Sequence, residues 1–398
     1  EKENPGSVFD LNFIKEKTVG HEEYLKQFED YDILKLSELC GIPVEKLEEA
    51  AKMIAPCKKI IFSWGMGLTQ QPNGVDMVHE LLNILLLKGS IGKPGAGLCP
   101  VRGHSNVQGN RTMLINHKPT DEQLDTLEKH FHFKMPRNHG LDVVNTIKAI
   151  HDEKVKVLFC LGGNFISATP DTNYTSEGMR KLNLLVSIST KLNRGHLVHG
   201  KESIILPTYA RSDKDIVNGE LQIITTENSM GIVQDSRGML DPVSDNLLNE
   251  TQILCRLAIA TLGSRTVVDW MRYHDSYDAV RDDIEKCIPG FENYNVRARQ
   301  KGGFYLPNNA RDEQKFSPKH NGKAPFSITE IPENKLAADE FLMATTRSHD
   351  QFNTTIYGMD DRYRGIKNER RVIFMNKSDI EKLGLKSGDT VDLFNFDD

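Results

Sequence analysis

A dense run of glycine, proline and hydrogen-bonding side chains at residues 92–112 restricts the fold of this chain more than any other stretch. Its five glycines and two prolines interrupt helices and strands, so we expect an ordered loop without regular structure. The run also carries Arg102, His104, Asn106 and Gln108. A flexible linker would be richer in Ser and Glu, whereas this mixture favours a loop that holds polar groups against a ligand. The alternative is a purely structural crossover loop.

Composition excludes several classes of function. The 398 residues have a formal net charge of −6, which provides no basic field for nucleic acid or an anionic membrane. No apolar run is long enough to span a bilayer. The six cysteines are dispersed without a CxxC pair, as is typical of reduced cytosolic thiols. We therefore expect a cytoplasmic protein that binds neither nucleic acid nor membranes.

Short apolar runs that end in small polar residues alternate with helical patterns along the first half of the chain. Such runs are typical of buried parallel strands, and we predict them at residues 59–64, 155–160, 184–189 and 203–207. Helical patterns occur at residues 75–87 and 141–150. The sequence therefore predicts an α/β fold in which the carboxyl ends of parallel strands share one ligand-binding edge.

The predicted organisation is two Rossmann-like parallel-sheet domains followed by the start of a C-terminal β-barrel domain. We place an α/β domain with the central run at 1–113, a second, nucleotide-binding α/β domain at 114–288, a connecting excursion at 289–334 and the truncated barrel at 335–398. In the last region, strands are predicted at 341–346, 371–375 and 390–394, with a helical turn that opens at Ser378. Both chain ends suggest that a larger protein has been cut.

Two glycine turns follow predicted strands, Gly65-Met66-Gly67 and Gly162-Gly163-Asn164. Glycine at the end of a strand lets backbone N–H groups approach a phosphate, and two such turns favour a dinucleotide-like ligand. The alternative is a pair of tight turns without a ligand. Neither turn is a GxGxxG or Walker A motif, so the sequence gives little support to NAD or ATP.

Two further polar runs also follow predicted strands. Residues 189–194 contain two hydroxyls and two cations, suited to a sugar, a base edge or a phosphate. Residues 346–354 bring together Arg347, His349, Gln351 and Asn353. Because polar side chains on a loop held by a scaffold usually have a partner, ligand contact is the favoured interpretation of the second run. A solvated surface loop is the alternative for both runs.

Residues 92–97 and 101–109 of the central run resemble the molybdopterin oxidoreductases of the dimethyl sulfoxide reductase family, and formate dehydrogenase α subunits in particular. Trp64–Gln70, Leu161–Asn164 and the late polar run occur in the order of that family. The resemblance covers nearly the whole chain. It implies two molybdopterin guanine dinucleotides around one Mo or W ion and, in the intact protein, a 4Fe-4S cluster that exchanges electrons with it.

The resemblance also implies roles for individual residues. Arg102 matches the arginine that formate dehydrogenases place beside the metal, where its guanidinium would hold a carboxylate-like substrate. His104 stands where formate dehydrogenase has a glutamine, which argues against formate itself. The expected cofactor-binding residues are Gly65, Gly67, Gln70, Gly162, Gly163, Asn164, Ser189, Thr190, Lys191, Arg347, Gln351 and Asn353.

The metal ligand and the iron–sulfur ligands of the family lie upstream of this sequence, and none of the six cysteines matches them. We therefore expect a fragment that is inactive alone and that belongs to an oxidoreductase with a small-molecule substrate and a redox partner protein. The alternative hypothesis is a nucleotide-binding or scaffold protein that kept the fold without the metal centre.

Overall fold

The computed structural model describes residues 1–332, 335–349, 351–352 and 356–394. Its α-helices are α1 (Leu11–Lys17), α2 (His21–Lys26), α3 (Ile33–Cys40), α4 (Val44–Ile54), α5 (Met66–Thr69), α6 (Gly74–Leu87), α7 (Val107–Thr112), α8 (Asp121–Phe131), α9 (Val143–His151), α10 (Phe165–Ala168), α11 (Thr172–Met179), α12 (Glu250–Leu262), α13 (Trp270–Asp275), α14 (Tyr277–Cys287), α15 (Tyr294–Ala298), α16 (Asn309–Asp312) and α17 (Lys377–Lys382). Short 3-10 turns lie at Arg194–Leu197, Gly263–Arg265 and Pro318–His320.

The strands are short and form several small sheets. They are β1 (Thr18–Val19), β2 (Ile61–Trp64), β3 (Gly97–Pro100), β4 (Val157–Leu161), β5 (Leu184–Ser189), β6 (Glu202–Pro207), β7 (Ile216–Val217), β8 (Glu220–Leu221), β9 (Ile224–Glu227), β10 (Ile232–Ser236), β11 (Phe304–Tyr305), β12 (Ala324–Pro325), β13 (Gln351–Phe352) and β14 (Ile356–Tyr357). The pairs β1–β12 and β2–β3 are parallel. A second sheet has the order β4-β5-β6, and β11-β10-β9 is antiparallel.

The predicted α/β class is confirmed, and so are its strongest elements. The strand predicted at 184–189 is β5, and the helix predicted at 75–87 is α6, one residue longer. β5 is the middle strand of its sheet, and Leu185, Val186 and Ile188 are at most 4% exposed. A run that is buried on both faces needs apolar residues at successive positions, which is the pattern that the sequence shows.

Three strand predictions near the C-terminus are wrong. Residues 341–346, 371–375 and 390–394 take no part in a ladder among the described residues. Apolar β-branched runs form a strand only when another strand satisfies their backbone groups. The described pairings of this region are β13 with β14 and a single bridge between Asp361 and Ile366, and neither involves the predicted strands. The predicted helical turn is present as α17, but its N-cap is Asn376, whose side chain accepts from the Ser378 N–H at 3.0 Å.

The chain divides into two compact units. Unit 1 comprises residues 1–149, 188–190 and the described residues of 206–340; unit 2 comprises 150–187, 191–205 and the described residues from 341 onward. The boundaries predicted at 113, 288 and 334 stay predictions.

Each unit has its own apolar core. In unit 1, one cluster joins α1, α6 and β12, with Phe13, Leu86 and Phe326 among its buried members. A second cluster in the same unit packs β10 and β11 against α15. In unit 2, α9, α10 and α11 cover β5 through Ile150, Met179 and their neighbours. Residues on both sides of position 289 therefore contribute to the core of unit 1.

A buried carboxylate on α14 links three elements of unit 1. Asp283 is 6% exposed and accepts hydrogen bonds from Arg272, Tyr273 and Lys286. His130 Nε2 on α8 lies 3.0 Å from the same carboxylate. Burial alone would raise the pKa of the Asp283 carboxyl, but these hydrogen bonds, that from Tyr273 first, outweigh it and lower the pKa to about 2. The charged form of Asp283 therefore stabilises the folded state.

We predict that Asp283→Asn lowers the free energy of unfolding at pH 7 by about 2 kcal/mol, scaled from the depressed pKa. Because the folded pKa lies below the unfolded one, this stabilisation is complete above about pH 5 and is lost as the pH falls towards 2. Urea unfolding at pH 7 and pH 3 measures the difference. Asp282→Asn, at an exposed neighbour, is the control. Equal losses for Asp283→Asn at both pH values would contradict the prediction.

Candidate functional site

The central run contains regular structure, contrary to expectation. Its residues 97–100 form β3, which pairs in parallel with β2 so that Trp64 lies opposite Pro100, and its residues 107–112 form α7. The strand is extended by a hydrogen bond from the Val101 N–H to the Trp64 carbonyl at 2.7 Å. Glycine and proline are tolerated here because β3 is short and pairs with β2 alone among the described strands. Residues 92–96 and the turn between β3 and α7, residues 101–106, are irregular, as expected.

This turn, which we call the Arg102 turn, presents the two predicted catalytic side chains. Arg102 and His104 are both exposed, and neither side chain has a hydrogen bond or ion pair to any residue that the structure describes. Most other arginines in the described chain are engaged; Arg281, for example, is 3% exposed and is held by Asp278 and Asn295. The Arg102 guanidinium is therefore available to a ligand.

The first glycine turn leaves the same edge of the sheet as the Arg102 turn. Gly65 follows the last residue of β2 and is the N-cap of α5, which contains Gly67 and has Gln70 as its C-cap. All three are exposed. Because β2 and β3 run parallel in direct register, Gly65 and Val101 both continue from carboxyl ends that lie side by side. β3 was not among the predicted strands, so this shared edge is a finding of the structure, whereas the predicted strand at 155–160 and its successors form a different sheet.

The second glycine turn, in unit 2, holds a polar atom without a partner. Gly162 and Gly163 have φ of +66° and +68° directly after β4, a conformation that glycine adopts at little cost. Asn164 follows, and its Oδ1 is buried with no hydrogen-bond partner among the described residues. A buried acceptor of this kind costs about 1–3 kcal/mol. The atom is therefore in need of a donor.

Gly195, in the segment after β5, lies beside Asn164 Oδ1. A Cβ on Gly195 would lie 3.1 Å from Asn164 Oδ1 and 2.9 Å from Asn193 Oδ1, so two carboxamide oxygens converge on this glycine. Asn193 Oδ1 accepts from the Gly195 N–H at 2.8 Å and is satisfied. The segments that follow β4 and β5 thus meet at Gly195, where Asn193 Oδ1 has a hydrogen-bond donor and Asn164 Oδ1 has none among the described residues.

The other residues predicted after β5 lie at its carboxyl end. Ser189 is the last residue of the strand and is half-buried, and its carbonyl accepts from the Thr208 N–H at 3.3 Å. Thr190 and Lys191 follow in an exposed bend. Their predicted contact with a nucleotide stays a prediction.

The late polar run borders a cavity of about 110 Å³ in unit 2. Its lining includes Arg347, Arg364 and Arg370 together with Asp361, which is 1% exposed. Burial would raise the pKa of the Asp361 carboxyl, but hydrogen bonds from Arg364 and from backbone N–H groups, including that of His349, lower it. Asp361 and Arg364 are not among the predicted site residues, although the charged run at 360–364 was a signal.

Gln351 and Asn353 are the other predicted cofactor contacts of this region. Gln351 begins β13, where it lies opposite Tyr357. Asn353 lies outside the described residues.

In the described parts of the chain, no three His, Cys, Asp or Glu side chains are grouped closely enough to hold a metal ion. Nor does any helix found there combine the length and apolar character needed to cross a bilayer.

Comparison with known families decides the identity of the fold. Residues 14–219 match the molybdopterin oxidoreductase family, and residues 341–396 match the molybdopterin dinucleotide binding domain. The chain belongs to the molybdopterin oxidoreductase family. The resemblance based on the central run is thereby confirmed.

Relatives and a solved structure agree with this assignment. An uncharacterised oxidoreductase of Mycobacterium tuberculosis is 45% identical over 393 residues, which are 99% of this chain and 50% of that protein. A formate dehydrogenase alpha subunit of Methanocaldococcus jannaschii is 25% identical over 410 residues, covering 98% of this chain and 57% of its own. Acetylene hydratase from Pelobacter acetylenicus shares the fold, with a TM-score of 0.51 and 15% identity over 80% of this chain and 45% of its own. The chain spans about half the length of the curated relatives it matches.

The two convergent asparagines give opposite stability predictions for protein made without the pterin. We expect Asn164→Ala to leave the free energy of unfolding unchanged or to raise it, because the lost oxygen has no partner. Asn193→Ala should lower it by about 1 kcal/mol, because Asn193 caps the turn that begins at Arg194. Chemical denaturation measures both variants. Equal destabilisation by the two would show that Asn164 Oδ1 is satisfied after all.

Proposed function

We propose that the intact protein is a bis(molybdopterin guanine dinucleotide)-dependent oxidoreductase similar to formate dehydrogenase. It would oxidise or reduce a small substrate at Mo or W and exchange electrons with an iron–sulfur centre. Family membership supports the class of enzyme. The observation that carries the proposal is the pair of exposed, unpartnered side chains Arg102 and His104, which stand at the carboxyl edge of β2 and β3.

The residues of unit 2 fit a dinucleotide. Asn164 Oδ1 is an acceptor without a donor, and ribose hydroxyls and guanine N–H groups are donors of the required kind. Gly162 and Gly163 adopt positive φ, and their backbone N–H groups suit a phosphate. These residues would hold a nucleotide by neutral hydrogen bonds and oriented backbone dipoles.

The cavity beside Arg347 fits a phosphate or pterin oxygen. Three arginines line it, and Asp361 fixes Arg364 through a hydrogen bond of 2.7 Å. A guanidinium held in this way loses little side-chain freedom when it binds an anion. When bound, the metal–pterin group supplies the redox chemistry that amino-acid side chains lack.

Arg102 would hold the substrate. Its guanidinium presents parallel N–H donors that match a carboxylate in bidentate geometry, which fixes both the position and the rotation of a small anion. His104, two residues further on, offers a nitrogen acceptor or donor where formate dehydrogenase offers a carboxamide. This difference favours a small substrate other than formate.

The remaining parts of the proposal rest on the family resemblance. They are the 4Fe-4S cluster of the intact protein, a redox partner protein and a cytoplasmic location. The small net charge of −6 agrees with the absence of nucleic-acid and membrane partners that we propose.

Substitution of Arg102 tests the proposed role. In the intact, cofactor-loaded enzyme, Arg102→Ala should lower kcat/KM for an anionic substrate roughly 10- to 150-fold, since a charged hydrogen-bonded contact contributes about 1.5–3 kcal/mol. Arg111→Ala is the matched control. Arg111 is an exposed arginine of the same run, and the one described hydrogen bond of its side chain is donated to the Ile115 carbonyl at 3.4 Å. Unchanged turnover of every active substrate by Arg102→Ala would remove Arg102 from the site.

A further inference from the structure

We propose that Glu227 is a positioning residue that fixes the Arg102 turn by holding α7 against β9. The inference rests on the substrate role proposed above for Arg102. Glu227 contacts three side chains of the central run, and each of them lies more than 100 positions away from it in the sequence.

Glu227 is the last residue of β9 and is only 6% exposed. Gln108 Nε2 donates to its Oε1 at 2.9 Å, and the Thr112 hydroxyl donates to its Oε2. The backbone N–H of Glu227 donates to Asn106 Oδ1 at 3.0 Å. The described partners of the carboxylate are thus a carboxamide and a hydroxyl, both neutral. Two of the three contacts reach α7, and the third reaches Asn106, the last residue of the Arg102 turn.

The spacing of these contacts constrains the whole of α7. Gln108 and Thr112 are four residues apart, so their side chains leave the same face of the helix. Asn106 is the N-cap residue and ends the Arg102 turn. A helix of six residues is not stable by itself, because nucleation costs more than so few hydrogen bonds return. The position of α7 therefore depends on its attachment to Glu227.

The strand that carries Glu227 is well fixed. β9 pairs with β10 over four residue pairs, and β10 also pairs with β11. Val233, the residue opposite Glu227, is 2% exposed and belongs to the second core cluster of unit 1. The contact therefore ties an exposed turn that contains Gly103 to a strand paired beside the buried core of unit 1.

Gly109 in α7 leaves room for the Asn106 side chain that accepts from the Glu227 N–H. A Cβ on Gly109 would lie 2.0 Å from Asn106 Oδ1, closer than any real contact allows. Any other residue at 109 would therefore displace the Asn106 side chain from the Glu227 N–H. This close approach is independent of the carboxylate contacts and leads to the same conclusion, that Asn106 is held in one place.

The link to the substrate is short. Four peptide bonds separate Arg102 from Asn106, so a shift of the N-terminus of α7 moves the backbone that carries the Arg102 and His104 side chains. Since a misplacement of about 1 Å costs about 100-fold in rate at a positioned contact, loss of the attachment should be visible in turnover.

The test uses the intact, cofactor-loaded protein and the variants Glu227→Ala and Glu227→Gln. The control is Thr225→Val, which removes another side-chain hydrogen bond of β9, the 2.7 Å contact with the Tyr294 hydroxyl, without touching α7. We expect amide hydrogen exchange across residues 101–113 to rise at least about tenfold in Glu227→Ala and to stay unchanged in Thr225→Val. Glu227→Gln should lie between them, because its carboxamide keeps one acceptor oxygen for two donors.

A double-mutant cycle then separates positioning from general stability. If Glu227 acts through Arg102, the loss in kcat/KM caused by Arg102→Ala should shrink at least about fivefold in the Glu227→Ala background. Independent, multiplicative losses, or exchange in Glu227→Ala no faster than in Thr225→Val, would overturn the inference. If Arg102→Ala alone leaves turnover unchanged, the proposed function fails instead, and the exchange measurement still decides whether Glu227 fixes the turn.

Discussion

The parallel register between β2 and β3 is the constraint on which the candidate substrate region depends. Four residue pairs, from Ile61 opposite Gly97 to Trp64 opposite Pro100, bring two chain segments to the same edge at the same level. The first glycine turn and the Arg102 turn both begin there. A shift of β3 along β2 would break the hydrogen bonds of the ladder. This register therefore determines which residues lie side by side at the edge.

The way in which polar groups are satisfied separates structural residues from candidate ligand contacts. Asp283, Glu227 and Asp361 are buried carboxylates, and each accepts several hydrogen bonds from described neighbours. Buried polar groups normally have such partners. Arg102 has no described partner, and Asn164 Oδ1 is buried without one. The first set holds the fold together, and the second set is what a ligand would complete.

Much of the fold was predictable because its signals are local. β5 and α6 follow from apolar runs of the right length, and the turn at Gly162 and Gly163 follows from two glycines after a strand. β3 was missed because glycine and proline density outweighed a four-residue apolar pattern whose partner strand is more than 30 residues away. The late strands were wrong because a ladder depends on a partner that a local pattern does not reveal. Glu227 was beyond prediction, since it meets Gln108 across 119 positions of sequence.

If this chain forms part of a protein with a metal–pterin centre, the intact protein must hold both metal and pterin. Molybdenum, tungsten and released pterin can be measured in the intact protein, isolated from cells that make the cofactor. We expect one Mo or W and two pterin dinucleotides for each chain. Protein from such cells that contains neither metal nor pterin would rule out the centre and would leave a nucleotide-binding scaffold as the function of this fold.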